Sequence, residues 1–493
     1  MKLRRGTIAF LLILIFLAVL AFRLYFAFQA ESFSPDAYFD LRQIKAISET
    51  GRPIFHDTLS YGGRTFIFLP VFHYILAGLS YFFPIALIGK ILPNLFAASL
   101  IFIVYLISKY ITKSTGASLF TAGISGFIPI YITSTLNTVS SHSLQIPLMF
   151  LALYAFMRQH QKSFVILFVV LTFLLPLVDL SSLILILAFI IYTLLAYLEK
   201  FQYKARTLEL VLFFIFITLW ISLLVYKSAF LAHGPGLIWQ NIPPSVLSRY
   251  FKDITLLRAI SGIGIVPLLL GCYILYKYMF REKRKDVYLL TSLAISVAVL
   301  LWLKLITLNL GLSVLGIVLI LLFSLFFKIS LDYIYKTKID KLAPFFIVVF
   351  IVLFLLTSLI PSVIFAAGTE TIDSDSIEAI NWLNINEGKG AVLLAPLKYG
   401  YLITYNNQIA NVVDMDFLMA PMPEQRLIDI EEIYNTPVEI KAIELLDQYD
   451  VTHILQPEDM QIKYLTPTCF DLVYDEKVKI FELKCGTVTK RKK

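Results

Sequence analysis

Charge is what this chain lacks. Only 15% of its 493 residues are Asp, Glu, Lys or Arg, against 58% hydrophobic, and mean hydropathy is +0.79. Soluble globular proteins carry about a quarter charged residues, so a soluble fold for the whole chain is excluded. Six histidines and three cysteines are also few. Cys272 lies in an apolar run. Cys469 and Cys485 have no His neighbours at metal-ligand spacing, which argues against zinc and leaves two readings of the pair, a disulfide in an oxidising space or two free thiols. No internal repeat and no low-complexity tract is present. Gly234-Pro235-Gly236 breaks a loop, but no Gly-Lys-Ser/Thr follows, so it is no phosphate cradle. No small-residue cleavage site follows the apolar run from Thr7 to Ala27, which is therefore expected to stay as an anchor.

What is present is a succession of apolar runs through residue 366, each long enough to cross a bilayer as a helix. Residues 1–366 hold 30 Lys/Arg against 13 Asp/Glu, while 367–493 hold 12 against 21. The expected fold is a polytopic α-helical membrane protein of about eleven spans, followed by a small external α/β domain. The membrane part is 1–366, with external loops at 29–85 and 228–257, and the soluble part is 367–493. Because the basic excess sits in short loops between spans, it gives no sign of nucleic-acid binding. Lys2, Arg4, Arg5 and the run Arg281–Asp286 place the N-terminus in the cytoplasm and the C-terminal domain outside a plasma membrane. That parity holds only if 65–83, which contains Pro70 and His73, lies in the outer interface without crossing. Single spans are expected over 258–279 and 287–306, the second enclosing Lys304, and Arg23 is expected to snorkel from the end of the first. In the tail, a helix around 374–384, strands at AVLLAP, IANVVDMDF and VTHILQP, and helices at 424–434 and 438–449 form a mixed or parallel sheet.

Against this apolar background the stretch ESFSPDAYFDLRQIKAISETGRP, residues 31–53, stands out. Carboxylates at the mouth of a membrane span are functional candidates by default. Asp36 and Asp40 share a helix face at four-residue spacing, where two acids can hold a divalent cation or divide acid and base work. The alternative is a solvated loop in which they pair with Arg42 and Lys45. The short turn 134–143 offers Asn137, Ser140, Ser141 and His142, and His142 is either a metal ligand or a solvated side chain. In the late loop Asp253 is the single acid. Arg42, Arg249, Lys252 and Arg258 suit a phosphate or diphosphate, or equally a lipid headgroup.

The run SPDAYFDLRQIKAISETG resembles the first external loop of oligosaccharyltransferase catalytic subunits, members of the type C superfamily of membrane glycosyltransferases. The family pattern is an Asp, a small residue and an aromatic, then Arg or His, then a helix ending in Gly; Asp36, Ala37, Tyr38, Arg42 and Gly51 match it. The tail segment APLKYGYLITYNNQIANVVD resembles the family's Trp-Trp-Asp-Tyr-Gly region. The resemblance implies transfer of a sugar or oligosaccharide from a polyprenyl-phosphate or polyprenyl-diphosphate donor to a protein or lipid acceptor outside the membrane. It implies a divalent metal, Mn2+ or Mg2+, with Asp36 as ligand or base and His142 and Asp253 nearby, and a substrate-facing Tyr399. Two departures accompany it. The second and late loops lack the family's Asp and Glu. Lys398 also stands where the family has the aspartate that accepts a hydrogen bond from Ser or Thr of the acceptor, and a lysine cannot accept one. Two other functions stay open: a non-catalytic relative that has lost the metal site, and a lipid-linked-sugar transporter. The second of these would bring internal repeats and broken helices, which the sequence does not display.

Overall fold

Leu-, Ile- and Phe-rich segments of this length are buried on all sides only by lipid and by one another, and the chain folds accordingly. The computed structural model describes residues 4–201, 205–247, 255–337 and 340–485. Its first ten helices are α1 (Arg5–Gln29), α2 (Ala37–Thr50), α3 (Val71–Ser80), α4 (Ile85–Thr112), α5 (Thr115–Ser125), α6 (Pro129–Thr133), α7 (His142–Met157), α8 (Lys162–Val178), α9 (Leu183–Leu198) and α10 (Ala205–His233). Later helices are given by their ranges. Seven helices among the described residues are long and apolar enough to cross a membrane: α1, α4, α9 with the turn before it, α10, Lys285–Trp302, Leu308–Lys336 and Ala343–Ala367. The chain is an integral membrane protein. Leu308–Lys336 is almost wholly buried and forms the axis of the bundle, whereas α1 and Ala343–Ala367 lie at its rim.

Several details differ from expectation: these seven long helices among the described residues stand against about eleven expected spans, and the span expected at 116–133 is two helices, α5 and α6. The span placed at 258–279 is broken: Leu256–Ile263 and Ile265–Glu282 meet at 83° at Gly264, whose backbone has φ +97°. Helix Lys285–Trp302 stops before residue 306, so Lys304 lies in the exposed turn between two helices and not within a span. Arg23 does not snorkel. It is 1% exposed and donates to Asn94 Oδ1 (3.0 Å) and to Thr135 Oγ1, tying α1 to α4 and to the turn after α6. A guanidinium held in this way meets acceptors that the hydrocarbon cannot supply.

The 65–83 segment yields only α3. Ten residues rise about 15 Å, half of a hydrocarbon core, so α3 cannot cross. It packs on α2, whose buried Tyr38, Leu41, Ile44 and Ile47 recur at helical spacing. At its end, Gly51 takes φ +74° and returns its N–H to Ile47 O at 2.8 Å.

The C-terminal part forms a five-stranded sheet in the order β4-β3-β5-β7-β6, where β1 (His56–Asp57) and β2 (Arg64–Thr65) are a small ladder in the first loop. Strand β3 (Val392–Leu394) runs parallel to β4 (Ala410–Asn411) and to β5 (His453–Gln456), with Leu393 beside His453. The antiparallel pair β6 (Phe470–Asp475) and β7 (Lys479–Leu483) completes the sheet, Ile454 facing Phe481. Helices Ser374–Asn386, Pro423–Asn435 and Glu439–Gln448 stand close to their expected places. The strand expected through IANVVDMDF ends after two residues, because the chain is drawn away from the sheet. Asn411 N bonds Leu59 O at 2.8 Å, and Asp414 is taken by the first loop.

That loop is latched to the tail at several points. Arg64 Nη2 lies 2.6 Å from both carboxylate oxygens of Asp414, with both side chains 1% exposed, and Ser60 Oγ donates to the same carboxylate. Arg64 also stacks over the Tyr61 and Phe66 rings. Nearer the membrane, Ile372 N bonds Phe33 O at 3.0 Å. A shared apolar core joins Phe33, Tyr38 and Leu41 of the loop to Ile380, Leu402 and Tyr399 of the tail.

Cys469 and Cys485 form a disulfide, with Cα atoms 4.9 Å apart and 16 positions between them in sequence. A loop of this size is worth about 3 kcal/mol through the entropy removed from the unfolded chain. A Cys469→Ser/Cys485→Ser variant is therefore expected to melt several degrees lower, and reduction of the wild type should lower its melting temperature to match. Equal melting with and without reductant would show that the pair contributes nothing.

Candidate active site

The site is built on the N-terminal turn of α2. Ser34 N donates to Asn137 O (3.0 Å), and Ala37 N to Ser34 O (3.1 Å), so the turn carrying Asp36 is pinned to the short second loop. Asp36 precedes the first residue of α2, yet its carboxylate caps nothing. Among the described residues no side chain bonds or pairs with it. Asp36 is exposed at the surface, with protein packed densely around it. The desolvation that this surrounding protein imposes, then the nearby charges of Asp40 and Glu370, push its pKa up from 3.8 to about 6.

Asp40, one turn further along α2, faces His73 of α3 at 2.7 Å, and that ring is 4% exposed. Burial raises the pKa of Asp40, and the bond to His73 opposes the rise. A second pair stands beside the first. His142 Nε2 at the start of α7 lies 3.8 Å from Asp179 Oδ1. Asp179 joins α8 to the turn before α9, and it accepts from Ser141 Oγ (2.6 Å) and Ser181 N (2.8 Å). Burial would raise its pKa, but His142 and the serine donors outweigh burial and hold it below the usual carboxylate value. The two pairs feel each other, since the charges of His142 and Asp179 both act on Asp40.

The tail contributes the opposite wall. Tyr401 packs on Phe39 with ring centres 5.4 Å apart, and burial, then Asp414 and Asp416, hold its hydroxyl well above the usual phenol range, with Asp36 adding to the rise. Asp416 is raised by burial in the same space. Tyr226 of α10 lies within electrostatic reach of both Asp179 and Asp416. The approach of this wall depends on Gly400: a Cβ there would fall 2.3 Å from Val413 O and 2.6 Å from Asp414 Cβ, so the helix Gly400–Tyr405 could not pack as it does.

The residues expected from sequence divide into three groups. Asp36 and His142 both lie near Asp40: the charge of Asp40 acts on Asp36, and that of His142 acts on Asp40. Arg42 is 3% exposed and bound bidentately to Asp57 (2.7 and 2.8 Å) and through Nε to Asn407 (2.7 Å), so its donors face the loop–tail contact. Tyr399 is 2% exposed, with its hydroxyl on Asp373 at 3.3 Å. Arg249, Lys252 and Asp253 lie outside the described residues. His73, Asp179, Tyr401 and Asp416 were not anticipated. Asp179 had a signal: it is the single charge between two apolar runs, where an ionisable residue is costly.

A divalent cation is the group most at issue. Among the described residues no three His, Cys, Asp or Glu side chains converge at ligand distance, which rules out a closed zinc-type cage in this arrangement. Mg2+ and Mn2+ ask for less. Magnesium keeps several waters and is bound by one or two carboxylates plus substrate phosphate. An unpartnered Asp36 beside Asp40 and Glu370, with a carboxyl that resists ionisation for want of positive charge, fits that kind of ion.

This arrangement, a helical bundle with an acid-bearing first loop clasped to a small α/β tail, is the type C membrane glycosyltransferase fold. Solved structures share it at low identity. The oligosaccharyltransferase of Archaeoglobus fulgidus in its apo form matches with a TM-score of 0.68 at 12% identity, covering 90% of this chain and 70% of that one. ArnT from Cupriavidus metallidurans bound to undecaprenyl phosphate matches at 0.60 and 10%, covering 98% and 99%. The arabinofuranosyltransferase AftD from Mycobacteria matches at 0.53 and 14%, covering 98% of this chain but 40% of its own. The archaeal oligosaccharyltransferase has also been solved with zinc and sulfate, and in complex with an inhibitory peptide and a dolichol-phosphate. No protein-family model and no curated protein sequence matches this chain.

Proposed function

We propose that the protein transfers a sugar or oligosaccharide from a polyprenyl-phosphate or polyprenyl-diphosphate carrier to an acceptor, using Asp36 as the base. The observation that carries this reading is the Asp36 carboxylate at the start of α2, exposed, without a side-chain partner among the described residues and with a pKa near 6. A base titrating there is mostly ionised at neutral pH and still basic enough to take a proton. Asp36 removes the proton from the acceptor hydroxyl or amide. The acceptor atom bonds to the anomeric carbon as the bond from that carbon to the phosphate oxygen breaks, and the carrier phosphate leaves with the electron pair. When bound, Mn2+ or Mg2+ would be held by Asp36, with Glu370 within electrostatic reach of it, and would offset charge on that phosphate. His142 and the serine donors hold the Asp179 carboxylate ionised, while His73 opposes the rise that burial imposes on Asp40.

The membrane bundle supports a lipid carrier, because the phosphate then lies at headgroup depth while its tail stays in hydrocarbon. Exposed Arg258, over the Phe365 ring at 5.9 Å, supplies a cation for the phosphate, and Arg249 and Lys252, outside the described residues, join it in this reading on their charge alone. The disulfide supports a tail outside the cytoplasm, and the basic Lys2, Arg4 and Arg5 support an N-terminus within it, at a plasma membrane. Acceptors of the Asn-X-Ser/Thr kind are not implied. Lys398 is exposed with its ammonium 4.8 Å from the Tyr399 ring, and it has no acceptor oxygen to offer.

Transfer of label from lipid-linked donors of the native membrane to acceptor, by the purified protein in bilayers, is expected to rise with pH along a limb centred near 6. A flat profile from pH 5 to 8, or no transfer with any donor extracted from the native membrane, would refute the assignment. A second reading, a relative that keeps the fold without the metal, is motivated by the second loop, which carries Asn137, Ser140, Ser141 and His142 and no carboxylate.

A further inference from the structure

The opposite end of the bundle carries a second cavity that the transfer chemistry does not use. α7 begins at His142, and Arg158 follows its last residue. Sixteen residues separate the two, about 24 Å along the helix, so Arg158 lies near the other face of the membrane. There a cavity of about 330 Å3 is lined by Lys109 and Lys113 at the end of α4, by Arg158 and His160 after α7, and by Tyr110 and Tyr154. Its volume falls in the range of small-molecule sites.

The charge in it is one-sided. Among the described residues no carboxylate lines the cavity, and the acid within reach of Tyr110, Asp286, is already paired with Arg284. The cations are held in place but not exhausted. Arg158 gives Nη1 to Tyr154 Oη (2.8 Å) and Nη2 to Gln161 (2.9 Å), and it stacks over Phe164 at 4.2 Å, which leaves three of its five N–H donors. Lys109 donates to Thr115 Oγ1, and Lys113 lies 4.3 Å from the Tyr110 ring centre, so both ammonium groups keep donors. Two tyrosines frame the cations as rings do at a bilayer interface. Leu106, 37% exposed, opens the cavity toward the lipid side.

We infer that this cavity binds the phosphate of an anionic lipid headgroup in the leaflet opposite Asp36. Ordinary loop cations that favour one side of a membrane do not need a shaped cavity, aromatic walls and a guanidinium fixed by its neighbours. Basic pockets between transmembrane helices take such headgroups through charge-assisted hydrogen bonds. The inference does not depend on the transfer reaction.

The test uses the full chain in a zwitterionic detergent, with binding read from the rise in melting temperature. The probes are short-chain phosphatidylglycerol, phosphatidylcholine of the same chain length, and inorganic phosphate. The wild type is expected to be stabilised by phosphatidylglycerol alone. Lys109→Gln/Lys113→Gln/Arg158→Gln should bind it roughly 100-fold more weakly, and exposed Lys113→Gln alone roughly fivefold. The single variant keeps the test decisive if the triple one does not fold. A lipid response unchanged in Lys113→Gln and in the triple variant would overturn the site, as would an equal response to phosphatidylcholine. An equal response to inorganic phosphate would overturn the lipid as its source.

Discussion

Asp36→Asn is expected to abolish transfer while making the protein more stable. Removing a positioned general base costs about 10²- to 10⁴-fold in rate, and the loss should fall on kcat because the acceptor and donor still bind. The gain in stability has a definite sign. The carboxyl titrates near 3.8 when solvated and near 6 in the folded protein, so the folded state holds the proton more tightly. Stability therefore falls as pH rises between those values, and the penalty is complete above pH 6. Asparagine carries no such penalty. Its melting temperature should exceed that of the wild type at pH 7.5, and the two should converge below pH 4. A residue kept against its cost in stability is the mark of a functional group. Calorimetric titration with Mn2+ adds a separate readout, since heat seen with the wild type and absent in Asp36→Asn assigns the ion to Asp36. An Asp36→Asn protein that transfers sugar at the wild-type rate would refute the assignment, whatever its stability.

Arg64→Ala should cost the most in stability. The pair with Asp414 is 1% exposed on both sides, and removing one partner leaves the other charge buried, a loss of roughly 3–5 kcal/mol. Asp414→Ala is expected to cost a similar amount, since Arg64 also has its guanidinium between the Tyr61 and Phe66 rings with nowhere to turn. Replacing both with apolar residues of like size should recover much of the loss. The effect reaches the site as well. Arg64 offsets the charges of Asp414 and Asp416, and Tyr401 stands among the three. Thermal melting read together with proteolysis of the loop gives the measurement. If Arg64→Ala melts within a degree of the wild type, the latch is not what holds loop to tail.

The membrane bundle was legible because bilayer thickness imposes one length on every span, and the tail's helices and parallel strands showed in its periodicity. Asp36 stands out in the sequence because a carboxylate is rare beside such a segment. Its companions do not. His73 and Asp40 are 33 positions apart, and His142 and Asp179 are 37 apart, so no spacing rule joins either pair. Arg42 and Tyr399 fit a motif, but the motif does not say which way a side chain turns, and packing turned both inward. Arg23 shows the same limit: Asn94 and Thr135 supply acceptors that only the folded bundle assembles.

The latch has a consequence for the order of events at the ribosome. Arg64 and Asp414 are 350 positions apart, so the first loop leaves the translocation machinery long before its partner exists. Until the tail follows, Phe33, Tyr38 and Leu41 have no cover from that side. The membrane helices can insert and pack as they emerge, but the loop–tail contact closes last, on a completed chain. A truncated product would carry Asp36 without Tyr401 or Asp416, and so with one side of the proposed site missing.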